Sequence, residues 1–154
     1  MLIWEVKGVM TMLSELNLTD ARKGFSSLYD DVFNTFKPTV VKRKKTEEVL
    51  LLRVDLQKML LSHFSLKPEI IYEDDKSVTL ALDTLDIFVN NTTLDKAVNE
   101  LIQDLKLYSQ DYIERSQLFL HAPNRRSHFP YVLRIMLCEN DEEIRSLLEY
   151  NHAT

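Results

Sequence analysis

Glycine is nearly missing from this chain of 154 residues: only Gly8 and Gly24 occur, alongside four prolines. Glycine supplies the positive-φ turns of all-β folds and the close backbone approach of phosphate-cradling loops, so neither a Walker loop nor a dinucleotide fingerprint can be built here. Helices joined to a few strands are favoured instead. Cys138 is the only cysteine, which excludes an internal disulfide and a multi-cysteine zinc site and fits a reducing compartment, so a cytoplasmic location is expected. No apolar run approaches the roughly 20 residues that span a bilayer, and the N-terminus lacks the layout of a signal peptide. Neither secretion nor a membrane partner is expected, so the glycosylation patterns at Asn17 and Asn91 carry no weight. His63, His121, His128 and His152 lack the i, i+4 spacing of a helical metal site, so no metal and no cofactor are expected.

What is present is enough for one ordinary core or two small ones, with 45% hydrophobic and 28% charged residues. The net charge of −5 hides an asymmetry: residues 12–62 carry nine Lys/Arg against seven Asp/Glu, or +2, while 63–154 carry nine against sixteen, or −7. A basic half joined to an acidic half points to two partners of opposite sign, or else to uneven surface charge without a role.

Leu13 to Leu18 alternates loosely and predicts a short strand, after which Thr19 stands where a helix N-cap belongs. Ala21, Phe25, Leu28, Tyr29, Val32 and Phe36 then form one apolar stripe of 3.6-residue period, predicted to be core. A capping box would place Glu or Gln at position 22, but Arg22 and Lys23 stand there. Two cations in an opening turn oppose the helix dipole, a cost that an external anion such as phosphate would reverse; the alternative is a local ion pair of Arg22 with Asp20. After Pro38, Thr39-Val40-Val41 leads into Lys42-Arg43-Lys44-Lys45, a turn at Thr46-Glu47, and an almost unbroken apolar run from Val49 to Val54. This predicts a hairpin whose basic tip is either solvated surface or a phosphate-contacting patch. The second strand is apolar on both faces, which predicts cover from another copy of the chain. Asp55 is expected to cap a short helix with Leu56, Met59 and Leu60.

The order of short strand, Thr19-Asp20-Ala21-Arg22, amphipathic helix, Pro38-Thr39-Val40-Val41-Lys42-Arg43, Val49 to Val54 and Asp55-Leu56 resembles Phd/YefM-type antitoxins over about residues 12–62. The resemblance implies a homodimer, possibly of higher order, whose sheets and first helices form an operator-DNA-binding surface, and a protein toxin as second partner. Its Ala-Arg step matches Ala21-Arg22, and its second arginine matches Arg43 best, with Lys42 adjacent. Thr19, Arg22, Lys23, Lys42, Arg43 and Lys44 are therefore the expected DNA-contacting set, with Lys45 in support. The family often carries a glycine in the hairpin turn, where this chain has Lys45-Thr46-Glu47 and a hairpin longer by about a residue. Met12, or Met10, is expected as the natural start, leaving Met1 to Val9, with Trp4, as a poorly ordered extension.

Beyond an expected hinge at Ser65 to Pro68, three strands are predicted at Ile70 to Tyr72, Val78 to Leu82 and Leu85 to Val89, forming a small antiparallel sheet. Thr92 or Thr93 then caps the longest helix, with Leu94, Ala97, Val98, Leu101, Leu105, Tyr108 and Tyr112 at helical spacing. Asp95, Glu100, Asp104, Asp111 and Glu114 make its other face acidic, a candidate surface for a basic partner or ordinary solvated surface. Two more helices are predicted, Phe129 to Leu137 with Pro130 in its first turn and Asp141 to Glu149. Leu85 to Tyr112 is distantly similar to HicB-like antitoxin domains, and Ala122-Pro123-Asn124-Arg125-Arg126-Ser127-His128 is similar to a segment of longer Phd/YefM relatives. Arg125 and Arg126 join Asp104 and Asp111 as candidate toxin contacts; the alternative is a loop that only introduces the next helix.

No catalytic constellation is apparent. Cys138 ends an apolar run and is expected as a small core residue, and the pairs Asp30-Asp31 and Asp74-Asp75 point to different sides of their elements. The expectation is thus a non-enzymatic α+β protein: residues 1–64 as a dimerising, DNA-binding domain (core 12–62), and residues 65–154 as a toxin-binding domain of a small antiparallel sheet followed by helices. It would be an antitoxin that neutralises a toxin, by resemblance an RNA-cleaving one, and represses its own operator. The rival expectations are an adaptor on the same fold that does not bind DNA, and a small ribonuclease-like enzyme around Arg125, Arg126 and His128.

Overall fold

The computed structural model describes residues 12–150 and, ahead of them, only the backbone of a short antiparallel pair, β1 (Glu5–Val6) with β2 (Val9–Met10). The rest of the expected extension, Trp4 included, and His152 lie outside the described residues. The chain forms mixed α and β structure and divides into two compact units, one ending at Met59 and one beginning at Leu60.

In the first unit, β3 (Ser14–Asn17) runs parallel to β4 (Thr39–Arg43), which pairs antiparallel with β5 (Glu47–Leu51), in the order β3-β4-β5. Parallel neighbours need a crossover, and α1 (Leu18–Lys23) with α2 (Phe25–Thr35) supplies it. The cap is Asn17 rather than Thr19: the Asp20 N–H donates to Asn17 Oδ1 at 2.8 Å, which starts the helix ahead of the expected position. The single expected helix is broken at Gly24, although Gly24 N–H to the Asp20 carbonyl (3.1 Å) and Leu28 N–H to the Gly24 carbonyl (2.9 Å) carry hydrogen bonding across the bend. Arg22 and Lys23 consequently sit in the last turn of α1, where the dipole favours cations, and not in an opening turn where it would oppose them.

Only half of the predicted stripe is core. Ala21, Leu28 and Val32 are buried against Leu16, Val41 and Leu51, whereas Phe25, Tyr29 and Phe36 are each more than half exposed. The buried three keep one helical face across Gly24, and a three-stranded sheet is too narrow to cover the rest of the stripe. The second hairpin strand is also displaced from its predicted span of 49–54. It ends at Leu51, because α3 (Val54–Leu61) already begins at Val54, with the Gln57 N–H bonded to the Arg53 carbonyl. Asp55 lies in the first turn of α3 rather than capping it, accepting the Leu56 N–H and the Arg53 guanidinium.

The second unit carries an antiparallel meander of β6 (Glu69–Tyr72), β7 (Val78–Leu82) and β8 (Ile87–Asn91), packed on α4 (Leu94–Glu114). The third strand starts two residues later than expected, because Asp83–Leu85 forms a 3₁₀ turn closed by Asp86 in the left-handed region. Thr93 caps α4 by accepting the Lys96 N–H at 3.2 Å. Ala97, Val98, Leu101, Leu105 and Tyr112 on α4 are buried, as their spacing predicts. A short helix, α5 (Ser116–His121), follows that the sequence did not announce, since none of its residues is buried. α6 (Phe129–Met136) and α7 (Asp141–Leu147) complete the unit. The segment expected as a hinge is instead tied down: Leu66 is fully buried in a parallel bridge with Leu148, and Ser65 Oγ donates to Glu149 at 3.0 Å.

Candidate nucleic-acid and partner interfaces

In the register of β3 with β4, Asn17 lies opposite Lys42, so α1 starts at the end of the sheet that carries the hairpin tip. Thr19, Arg22 and Lys23 on α1 and Lys44 and Lys45 in the turn are all exposed, with Lys44 in the left-handed region at φ 55°. The two cations just before the turn are committed elsewhere. Lys42 alternates with Val41 and so faces away from the helices, where it bridges Glu15 at 2.9 Å and Glu48 at 3.0 Å. Hydrogen bonds to those carboxylates, Glu15 first, hold its ammonium above the ordinary lysine pKa. Arg43 pairs with Glu47 at 2.6 Å. Of the predicted basic run, the structure thus leaves Lys44 and Lys45 open and gives Lys42 and Arg43 carboxylate partners.

The exposed side of α2 forms an aromatic ridge in which Tyr29 and Phe33 stack at 6.3 Å and 3°. Beside it, Val32, Leu51 and Val54 line an open groove of about 370 Å³. Val49 and Leu50 on β5, 64% and 49% exposed, extend this apolar surface to both faces of the edge strand. That much apolar surface on so small a unit marks a contact surface rather than solvated exterior.

Arg53 organises the groove, and sequence reasoning missed it. Its guanidinium lies 4.3 Å from the Phe33 ring centroid and 3.9 Å from that of Phe36, donates to the Phe33 carbonyl at 2.6 Å, and pairs with Asp55 at 3.0 Å. One side chain thus ties the end of α2 to the start of α3. Arg53→Ala is expected to destabilise the first unit by about 2 kcal/mol, the scale of a charge-assisted hydrogen bond with cation–π contact, read as a lower denaturation midpoint. Arg53→Lys should recover little, since an ammonium cannot reach all these partners at once.

In the second unit, Glu100, Asp104, Leu107, Asp111 and Glu114 share one stripe of α4, and Leu107 in its middle is 66% exposed. Asp111 is held by Arg115 through contacts of 2.9 and 2.6 Å, which lower its carboxyl pKa. Asp104 is half-buried, and desolvation, then the charge of Glu100, raises its pKa. Arg125 lies over the Tyr108 ring at 5.8 Å, while Arg126 is exposed. His128 is only 4% exposed and bonds Tyr108, so it is a core histidine and not an accessible catalytic base. Cys138, half-buried, packs against the core and donates to the Arg134 carbonyl at 3.6 Å. Among the described residues, no cluster of His, Cys, Asp or Glu could hold a metal ion, and no helix is long and apolar enough to cross a membrane.

The described residues thus form a two-unit α+β protein with exposed apolar and charged surfaces. Residues 12–150 match the family model PHD_like, described as antitoxin of toxin-antitoxin, RelE / RelB, TA system. A crystal structure from Syntrophomonas wolfei subsp. wolfei, described as "an antitoxin part of a putative toxin/antitoxin system", superposes with a TM-score of 0.81 at 31% identity. The match covers 89% of this chain and 97% of that one. No curated protein gives a significant match. The chain belongs to this antitoxin family, and is a non-enzymatic component of a toxin–antitoxin system whose partner is a toxin.

Proposed function

We propose that the protein is of the Phd/YefM type, with residues 1–64 acting as a homodimeric operator-binding domain and residues 65–154 binding and neutralising a basic, RNA-cleaving toxin in the cytoplasm. The observation that carries the DNA-binding half is that α1 starts at the end of the first sheet that holds the hairpin turn, so that Thr19 at its start, and Arg22 and Lys23 later on the same short helix, are exposed together with Lys44 and Lys45 of the turn. Phosphate contacts need cations free to exchange counterions, so Arg22, Lys23 and Lys44 lead the set. Arg43 contributes once it leaves Glu47, and Lys42, bridged twice, contributes least. The toxin-binding half rests on the −7 charge of residues 63–154 and on the α4 stripe with Asp104 and Asp111, with Arg125 and Arg126 as further contacts.

The test is a mobility shift on the DNA upstream of the protein's own gene at two salt concentrations. Arg22→Ala and Lys44→Ala are expected to weaken binding about tenfold each and to flatten the salt dependence, whereas Lys42→Ala changes it less than threefold. If the wild type fails to shift this DNA, alone or with the product of the adjacent gene, DNA binding is excluded and the adaptor reading takes its place.

A further inference from the structure

The loop between α5 and α6, residues 122–128, is built more firmly than a connector requires. The Arg125 carbonyl accepts the Tyr112 hydroxyl at 2.9 Å, and backbone bonds join Arg125 and Arg126 to the Ala122 carbonyl and His128 to the Arg125 carbonyl. His128 closes it, with Nδ1 2.6 Å from the Tyr108 hydroxyl and its ring edge-on to Tyr108. Arg125 approaches the same hydroxyl at 3.4 Å. Tyr108, Tyr112 and Phe119 form an aromatic floor beneath the loop.

The proton count at the Tyr108 oxygen decides how this arrangement behaves. With His128 neutral, Tyr108 accepts from Arg125 and donates to His128 Nδ1, so the hydroxyl and Nδ1 are both satisfied. With His128 protonated, Nδ1 becomes a donor. Two donors, one of them the Arg125 cation, then converge on a hydroxyl whose own proton has lost its acceptor. The groups facing His128 are Tyr108 on α4, Arg125 in the loop with Arg126 next to it, and Asp86 at the turn before β8. Asp86 is the one carboxylate among them, and its Oδ2 lies 4.0 Å from Nε2, beyond hydrogen-bond reach.

We propose that His128 is an acid-operated catch: the neutral imidazole holds the 122–128 loop on Tyr108, and protonation releases the loop, with Arg125 and Arg126, from the aromatic floor. Burial, and then the charge of Arg125, depress the His128 pKa below its ordinary 6.5, while Asp86 pulls weakly the other way. The released loop therefore binds more protons than the closed one. The stability that the neutral imidazole lends to closure is fully present above pH 6.5 and is lost as pH falls below it towards the depressed value. The catch acts within the second unit, whatever partner that unit binds.

Hydrogen-exchange protection of residues 122–128 in the full chain, corrected for intrinsic rates, tests this between pH 7.5 and 5. Protection is expected to fall in the wild type as pH drops below 6.5, by at most about tenfold per pH unit and levelling off once the depressed value is passed, while β7 and α4 keep theirs. His128→Asn, whose side-chain oxygen can accept from Tyr108 but cannot be protonated, should keep a pH-independent loop. Tyr108→Phe should lower protection at every pH. Should His128→Asn fail to fold, the ring-nitrogen shifts of wild-type His128 replace it: a titration that tracks loop exchange supports the catch. Protection unchanged at pH 5, or falling equally in His128→Asn, overturns it.

Discussion

Tyr29→Asp combined with Phe33→Asp is expected to turn a dimer into a monomer while leaving the first unit folded. Both side chains stand on the outer face of α2, 56% and 50% exposed, and neither belongs to the small core of Ala21, Leu28 and Val32; Arg53 loses the Phe33 ring but keeps the Phe33 carbonyl, the Phe36 ring and Asp55. In the proposed homodimer they are buried by the second copy, together with the groove at Leu51 and Val54 and the open strand β5. Full burial of an aromatic side chain is worth about 1.5–3 kcal/mol; about half of each ring is left for the partner to bury, and the two copies lose four rings between them, so dimerisation should weaken by a factor of about 10² to 10⁴. Sedimentation equilibrium reads this directly, and operator affinity should fall with it because each half-site then binds alone. A wild type that remains monomeric at high micromolar concentration would remove the dimer from the proposal and leave the ridge to the toxin.

The ridge also shows where the sequence could be read and where it could not. The stripe from Ala21 to Phe36 has helical period, and period alone announces an apolar face without saying what covers it; half of it faces inward and half outward. On α4 the same pattern was decisive, because a 21-residue helix lies across a whole meander and Thr93 is the natural cap. The order of elements was legible apart from the β1–β2 pair, the division of the first helix at Gly24, and α5, a short helix with nothing buried. The charges were not. Lys42 and Arg43 are equal members of a basic run in sequence, and only strand register shows that Glu15, Glu48 and Glu47 stand beside them. Arg53 resembled any surface arginine because its main partner, the Phe33 carbonyl, belongs to an earlier helix. His128 offered two readings, catalytic or structural, and its burial against Tyr108 chose the second.

Leu101→Ala should separate the two proposed roles. Leu101 is fully buried at the centre of the second unit's core, where α4 meets the meander, and truncating such a leucine costs about 2–5 kcal/mol through lost transfer energy and the cavity left behind. The first unit has its own core around Leu28 and Val32, to which Leu101 contributes nothing. Calorimetry is therefore expected to resolve two transitions in the wild type, of which the variant lowers one by roughly 10 °C or more. At a temperature between the two, operator binding should persist while toxin binding is lost. That result would assign DNA recognition and toxin capture to separate folding units, and would mean that losing the second unit frees the toxin before the repressor lets go of DNA. A single transition that moves as a whole would instead make the chain one cooperative block, in which any damage to the toxin-binding half also silences the operator.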